Sequence, residues 1–160
     1  MTRHLSWMLL LLSMLSGPAV AEAPQIDVPD AAKAAAATVD RFFAALSTGD
    51  IDRAGAELAA DVIILESGGA ERSAAEYLGG HAKGDAAFLK GAHHTLLRRT
   101  ARTSGELVWV ASESELHVQK DGKPATIVST ETMVLRSTGA GWKIVHIHWS
   151  SHVKKPGEAH

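Results

Sequence analysis

Apolar positions in the first half of the chain recur with the period of an α-helix. One face carries an i, i+3, i+4, i+7 pattern, made by Val39, Phe42, Phe43 and Leu46. This spacing predicts a helix over residues 31–46, with Asp30 as its N-cap. A second, short helix follows, because Asp50 can cap a segment with apolar positions on one side, namely Ile51, Ala54 and Leu58.

A strand and a third helix come next. Residues 62–65 are β-branched and apolar, which predicts a buried strand that ends before Gly68. Ser73 and Glu76 have the spacing of a capping box, so we expect a third helix over residues 74–92. Four glycines within this range weaken the helix and make it dependent on packing.

The second half of the chain has the alternating pattern of strands. Four strands are predicted, over residues 94–103, 107–119, 126–137 and 142–152. Asp121-Gly122 is a hairpin signal, and residues 138–141 form a second turn. The order of elements predicts an α+β domain with an antiparallel meander and helices gathered on one face of the sheet.

The amino-terminal segment has the pattern of a targeting signal. Arg3 precedes an apolar run over residues 5–15, and Ala19-Val20-Ala21 is a small-x-small cleavage pattern. We therefore expect a periplasmic or secreted protein that is not attached to a membrane after cleavage. The expected division is a signal peptide (1–21), a flexible leader (22–29), one domain (30–152) and a polar tail (153–160).

Composition narrows the classes of function. The chain has 16 Lys and Arg against 18 Asp and Glu, a net charge of -2, and no basic run, which argues against a nucleic-acid partner. It has no cysteine, so thiolate metal sites, cysteine nucleophiles and disulfides are excluded. Nine histidines are many for 160 residues and supply groups that titrate near neutral pH. No organic cofactor is expected.

The last hairpin is the main candidate for chemistry. A turn at residues 138–141 pairs Ser137 with Trp142, and continuing this register places Met133 opposite His146 and Glu131 opposite His148. We therefore take these four side chains as one inward-facing group. In this arrangement Glu131 and His148 could share a proton.

The sequence resembles the NTF2-like superfamily, in particular its small secreted SnoaL-like (DUF4440-type) members. The matching segments are residues 39–50, residues 131–135 and the closing segment 141–150, which reads GWKIVHIHWS. The resemblance implies a cone in which a curved antiparallel sheet and three helices enclose a pocket, and commonly a homodimer formed through the sheet. It leaves the activity open, because the superfamily includes isomerases, dehydratases, cyclases and non-catalytic modules.

Within such a cone a larger set of side chains is expected to line the pocket. These candidates are Glu66, Tyr77, His81, Phe88, Trp109, Glu131, Met133, His146 and His148. Glu113 and Glu115 are further candidates, although a solvated strand face explains them better. The expected ligand is a small apolar or carbonyl-bearing molecule, with Glu131 or His148 as the base and Tyr77 or a histidine as the oxyanion donor.

Three functions remain open from the residues. The first is ligand binding with acid–base chemistry in the pocket. Ketosteroid isomerase chemistry as such is not favoured, because Tyr77 is the only tyrosine and the first helix carries Phe42 and Phe43 instead. The second is a divalent-metal site made by His146, His148 and Glu131. The third is a non-catalytic dimerisation module.

Overall fold

The structure, a computed structural model, describes residues 23–158 and confirms the α+β architecture. The helices are α1 (Lys33–Thr48), α2 (Ile51–Glu57), α3 (Ala74–Gly79) and α4 (His81–Lys90), with a 3-10 turn at Asp30–Ala32. The strands are β1 (Gln25–Asp27), β2 (Leu58–Glu66), β3 (Gly69–Glu71), β4 (His93–Ser104), β5 (Leu107–Lys120), β6 (Lys123–Thr138) and β7 (Gly141–Val153). The predicted signal peptide lies outside the described residues.

All seven strands form one curved, unclosed sheet, in the order β1-β4-β5-β6-β7-β2-β3. Strands β4 to β7 make the predicted antiparallel meander, whereas β1 joins β4 and β2 joins β7 in parallel. Helix α1 packs across β5 and β7. We call the sheet face toward the helices the inner face and the opposite one the outer face.

The core lies between α1 and the inner face. The predicted stripe of α1 is confirmed, since Val39, Phe42 and Leu46 are fully buried while Phe43 is half-buried at one side. Phe42 packs between the rings of Tyr77 and Trp149, with centroid separations of 6.4 and 6.3 Å. The end of α1 is set by Gly49, whose φ of 79° is a left-handed C-cap conformation that glycine adopts without strain.

The predicted N-caps of α2 and α3 are present, whereas the start of α1 differs from the prediction. Asp50 caps α2 by accepting from the Arg53 amide, and Ser73 caps α3 by accepting from the Glu76 amide at 3.1 Å. Asp30 does not cap α1 with its side chain, because a 3-10 turn intervenes. The predicted third helix is divided at Gly80, whose backbone leaves the helical region and separates α3 from α4.

The expected flexible leader is partly ordered. Gln25–Asp27 forms the edge strand β1 beside β4, and Arg102 of β4 binds the Asp27 carboxylate at 2.6 Å. This contact explains why a polar segment with two prolines is held against the sheet. The described tail is also anchored, because the Lys154 amide donates to the Thr126 carbonyl at 2.8 Å.

The register of the last hairpin starts as predicted and then changes. Ser137 pairs with Trp142 and Leu135 with Ile144, but Val134 pairs with His146, so Val145 is an extra residue in β7. A bulge of one residue reverses which side chains face inward beyond it. Ile147 therefore lies on the inner face as a fully buried residue, and His148 is exposed on the outer face.

Among the described helices, none has the length and apolar character needed to span a membrane.

Candidate functional site

A cavity opens between the helices and the inner face of the sheet. Its volume, counted with its open mouth, is about 670 Å³. The apolar lining residues are Phe43, Leu46, Phe88 and Leu89 of the helices and Leu116, Ile127 and Trp149 of the sheet. The polar lining residues are Glu66, Asp85, His94, Ser114, Ser129, Glu131 and Ser151. A concave, mainly apolar lining with a few convergent polar groups is typical of a small-molecule site.

Glu131 is the polar centre of the inner face. Strand pairing places Ser112 of β5 on one side of it and Trp149 of β7 on the other. The indole Nε1 of Trp149 donates to Glu131 Oε2 at 3.1 Å, and the Ser112 hydroxyl also bonds this carboxyl. Burial raises the pKa of Glu131, while the two donors oppose that rise. The side chain therefore combines a firm orientation with an increased affinity for a proton.

A buried arginine continues this polar row away from the cavity. Arg99 is 8% exposed, and its Nε donates to the Ser112 hydroxyl oxygen at 3.1 Å. Its Nη1 forms an ion pair with Asp40 of α1. Because Ser112 accepts from Arg99, its own hydrogen is free to point to Glu131. This ion pair and these hydrogen bonds thus connect Asp40, on the outside of α1, through Arg99 and Ser112 to Glu131 in the cavity.

A second set of carboxyl groups stands on the other side of the cavity, near α3 and α4. Asp85 accepts a hydrogen bond from the Tyr77 hydroxyl at 2.8 Å. Burial raises the pKa of Asp85, and Tyr77 partly offsets this effect. Burial, followed by repulsion from Asp85, raises the pKa of Glu66. These groups hold protons more strongly than free carboxyl groups do.

His81 stands at the outside of this set. Its ring is 72% exposed and pairs with Glu71, whose side chain is 8% exposed. The bond to Glu71 raises the pKa of His81. His81 is absent from the cavity lining, and its side-chain contact in the described residues is the pair with Glu71.

His94 is the histidine that does line the cavity. Its ring packs on Phe43 with a centroid separation of 4.4 Å. Burial, with repulsion from Arg99, lowers the pKa of His94. The imidazole is therefore favoured in its neutral form, in which one nitrogen donates and the other accepts.

The structure brings three of the predicted site residues into the cavity: Glu66, Phe88 and Glu131. Tyr77 lies directly behind the lining, fully buried and bonded to Asp85. Ligand contact by these residues stays a prediction.

The predicted inward group of the last hairpin needs correction. His146 and His148 lie on the outer face because of the bulge at Val145, and Glu131 pairs with Trp149 instead of His148. His146 Nδ1 is 2.9 Å from the Ile63 carbonyl oxygen. The expected sharing of a proton between Glu131 and His148 is therefore wrong.

Two other candidates lie outside the cavity. Met133 is on the inner face but fully buried in the core, where it pairs with Ile147. Trp109 is 38% exposed and faces outward beside Val134. Glu113 and Glu115 also alternate with the inward positions of β5; the Glu113 side chain is exposed, whereas that of Glu115 is largely covered and forms an ion pair with Lys154 at 2.6 Å.

The metal alternative does not fit this geometry. His146 and His148 occupy the opposite face from Glu131, so the three side chains cannot converge on one ion. Within residues 23–158, no group of three or more His, Asp or Glu side chains has a metal-binding arrangement.

Several lining residues were not among the predicted ones: Asp85, His94, Ser114, Ser129 and Ser151. The spacing of Tyr77 and Asp85 across the Gly79-Gly80 break could have suggested their contact. The serines give a signal in the alternation of β5, where Ser112 and Ser114 occupy inward positions that are otherwise apolar.

Comparison with known proteins agrees with this architecture. The model of the SnoaL-like domain family matches residues 35–154. A comparison with curated proteins gives no match.

Solved structures give further likenesses. A putative ketosteroid isomerase from Shewanella frigidimarina is 37% identical, with a TM-score of 0.70, covering 73% of this chain and 94% of that one. An NTF2-like protein with a cystatin-like fold from Novosphingobium aromaticivorans is 18% identical, with a TM-score of 0.63 and coverage of 73% and 79%. The CaMKII hub of S. rosetta is 23% identical, with a TM-score of 0.63 and coverage of 75% and 95%. From the family match and the first of these structures, the chain belongs to the SnoaL-like domain family of the NTF2-like superfamily.

Proposed function

We propose that the cavity binds a small, mainly apolar molecule with a carbonyl group, and that Glu131 moves a proton on the carbon next to that carbonyl. The observation that carries this proposal is the environment of Glu131. Its carboxyl group lines the cavity, is oriented by Trp149 and Ser112, and has a pKa raised by burial. A carboxylate with these properties is a stronger base than a solvated one.

The second set of carboxyl groups, Glu66 and Asp85, would supply the hydrogen-bond donor that complements this base. Glu66 pairs with Trp149, and Trp149 pairs with Glu131, so Glu66 and Glu131 are two strands apart, about 10 Å between backbones. Trp149 occupies the strand between them, and all three side chains line the cavity. Protonated Glu66 or Asp85 would donate a hydrogen bond to the oxygen that becomes negative as the proton leaves carbon. Tyr77 does not take this role, because its hydroxyl already donates to Asp85.

The described relative from Shewanella frigidimarina is named a putative ketosteroid isomerase, and proton transfer next to a carbonyl is compatible with that name. Our proposal is broader than isomerisation. It requires only that a carbon acid enters the cavity and exchanges its proton with Glu131.

Hydrogen exchange on a model ketone tests the proposal. In D₂O, 2-tetralone loses its acidic C1 protons, and proton NMR follows the loss with and without protein. We expect the wild-type protein to accelerate this exchange, and Glu131→Gln to reduce the acceleration about a hundredfold or more, as for loss of a general base. Glu113→Gln is the matched control, since Glu113 lies on the outer face of the adjacent strand β5.

Two results would reject the proposal. One is a wild-type rate equal to that of solvent with 2-tetralone and related cyclic ketones. The other is an equal loss of rate in Glu131→Gln and Glu113→Gln, with both variants folded by circular dichroism.

We further propose that the domain acts after export, because residues 1–21 have the pattern of a signal peptide. Amino-terminal sequencing of protein from the periplasmic fraction should begin at Glu22. A chain that keeps Met1 would contradict this.

We also propose a homodimer through the outer face. Ile63, Leu65 and Trp109 are 45%, 38% and 38% exposed there, and such apolar exposure favours burial against a second copy. In sedimentation velocity, Trp109→Glu should shift a dimer to monomer, whereas Ile26→Glu at the far edge should not. A wild-type monomer at all concentrations tested would refute the dimer.

A further inference from the structure

Three serines form a row across the inner face of the sheet. Ser114 of β5 pairs with Ser129 of β6, and Ser129 pairs with Ser151 of β7. All three line the cavity. Directly opposed residues have Cβ atoms about 5 Å apart, so the row presents hydroxyl groups at that interval. It lies next to the row that contains Glu131, at a distance of two residues on each of the three strands.

The hydroxyl groups of this row are not used by the protein. Within residues 23–158, the side-chain hydrogen bonds of the structure include none made by Ser114, Ser129 or Ser151. Ser114 is only 7% exposed, yet no buried side-chain polar atom of the described residues lacks a partner, so its hydroxyl oxygen is still open to the cavity. A ligand in the cavity is therefore placed to bond these hydroxyl groups.

The charges around the row select against anions. Glu66, Asp85 and Glu131 line the same cavity, and neither lysine nor arginine is among its lining residues. His94, at the far end, is favoured in its neutral form. An anionic ligand would find no lysine or arginine in the lining to pair with, whereas a neutral ligand can use its carbonyl oxygens to accept from the serines and its hydroxyl groups to donate to them or accept from them.

We propose that the serine row is a recognition subsite for a neutral ligand that carries hydroxyl or carbonyl groups along one edge. The apolar face of such a ligand lies against Phe43 and Phe88 on the helix side, and its polar edge lies along Ser114, Ser129 and Ser151. This inference rests on the proposed function and defines the substrate class of that same cavity. The ligand is an oxygenated ring compound without a carboxylate or phosphate group.

Three ring compounds of similar shape test the subsite: naphthalene, 2-naphthol and 2-naphthoate. Their binding is followed by the NMR signal of the Trp149 indole N–H, which lines the cavity and is assigned with Trp149→Phe. We expect 2-naphthol to bind wild-type protein more tightly than naphthalene and at least tenfold more tightly than 2-naphthoate. Ser129→Ala should weaken 2-naphthol about two- to tenfold, as for loss of a neutral hydrogen bond, and leave naphthalene unchanged.

Ser150→Ala is the matched control, because Ser150 is the neighbour of Ser151 on β7 and faces the other side of the sheet. It should leave all three affinities unchanged. Equal binding of 2-naphthol and naphthalene, or equal losses in Ser129→Ala and Ser150→Ala, would overturn the serine subsite while the cavity proposal stands. Tight binding of 2-naphthoate would overturn the selection for neutral ligands. If no probe shifts the indole signal, the cavity proposal fails, and the subsite fails with it.

Discussion

The substitution Trp149→Phe isolates the hydrogen bond that orients Glu131. Phenylalanine keeps a ring in contact with Phe42, where the two rings now stack at 6.3 Å with an interplanar angle of 17°. What is lost is the Nε1 donor, 3.1 Å from the Glu131 carboxyl. Its loss should change the free energy of unfolding by an amount that depends on whether Glu131 is ionised.

The magnitude follows from the charge of the acceptor. A hydrogen bond to a charged group contributes about 1.5–3 kcal/mol, and a neutral one about 0.5–1.5 kcal/mol. The donor is therefore worth about 1–1.5 kcal/mol more when Glu131 is ionised. Burial raises the folded-state pKa of Glu131 above its unfolded value, so its ionisation costs stability as the pH rises through the folded pKa. Without the Trp149 donor this cost increases.

Urea unfolding at a series of pH values, followed by far-ultraviolet circular dichroism, measures the effect. The difference in unfolding free energy between wild type and Trp149→Phe should grow by about 1 kcal/mol or more from acid to alkaline pH. Taking the difference removes the contribution of groups that titrate equally in both proteins. Trp142→Phe is the control, since Trp142 lies on the same strand and packs against the core without a side-chain hydrogen bond to the described residues. A constant difference for Trp149→Phe, or the same slope in Trp142→Phe, would refute the reasoning.

Three further predictions concern other parts of the domain. Ser73→Ala removes the cap of α3 and should cost about 1 kcal/mol in urea unfolding, whereas Ser104→Ala, at an exposed strand end, should cost nothing measurable. The midpoint of the His81 ring in a proton NMR titration should lie above the ordinary histidine value and fall toward it in Glu71→Gln; the small stability that His81 contributes is present in acid and lost as the pH rises through this raised pKa. Zn²⁺ should not raise the Tm through a site shared by His146 and Glu131, because these side chains occupy opposite faces of the sheet. If Zn²⁺ raises the Tm and each of His146→Ala and Glu131→Gln abolishes the increase, the pairing of β6 with β7 is contradicted.

Periodicity was sufficient to predict most of the fold. The α1 stripe, the caps at Asp50 and Ser73 and the four-strand meander all depend on short-range patterns that the chain displays directly. Parallel pairing of β1 with β4 joins residues far apart in sequence, and no local pattern indicates it. The sequence therefore predicts a flexible leader.

The candidate site was only partly predictable, for a specific physical reason. Glu131 lines the cavity, but its predicted partner His148 is wrong because one extra residue at Val145 changes the alternation of β7. Both faces of β7 carry apolar side chains, so hydrophobicity alone did not reveal the change. Asp85 was missed because it lies in a glycine-rich segment whose division into α3 and α4 determines where the carboxyl group points.

The extra residue in β7 also affects which mutations the domain can tolerate. Deleting Val145 would restore regular alternation, and every side chain beyond it would change sides. Ile147 and Trp149 would move to the outer face, and His146 and His148 would enter the space now filled beside Met133. Few single substitutions disturb so many positions together. An insertion or deletion at this point should therefore impair folding far more than most substitutions do. In a deletion scan of the hairpin, the yield of folded protein should have a sharp minimum at Val145.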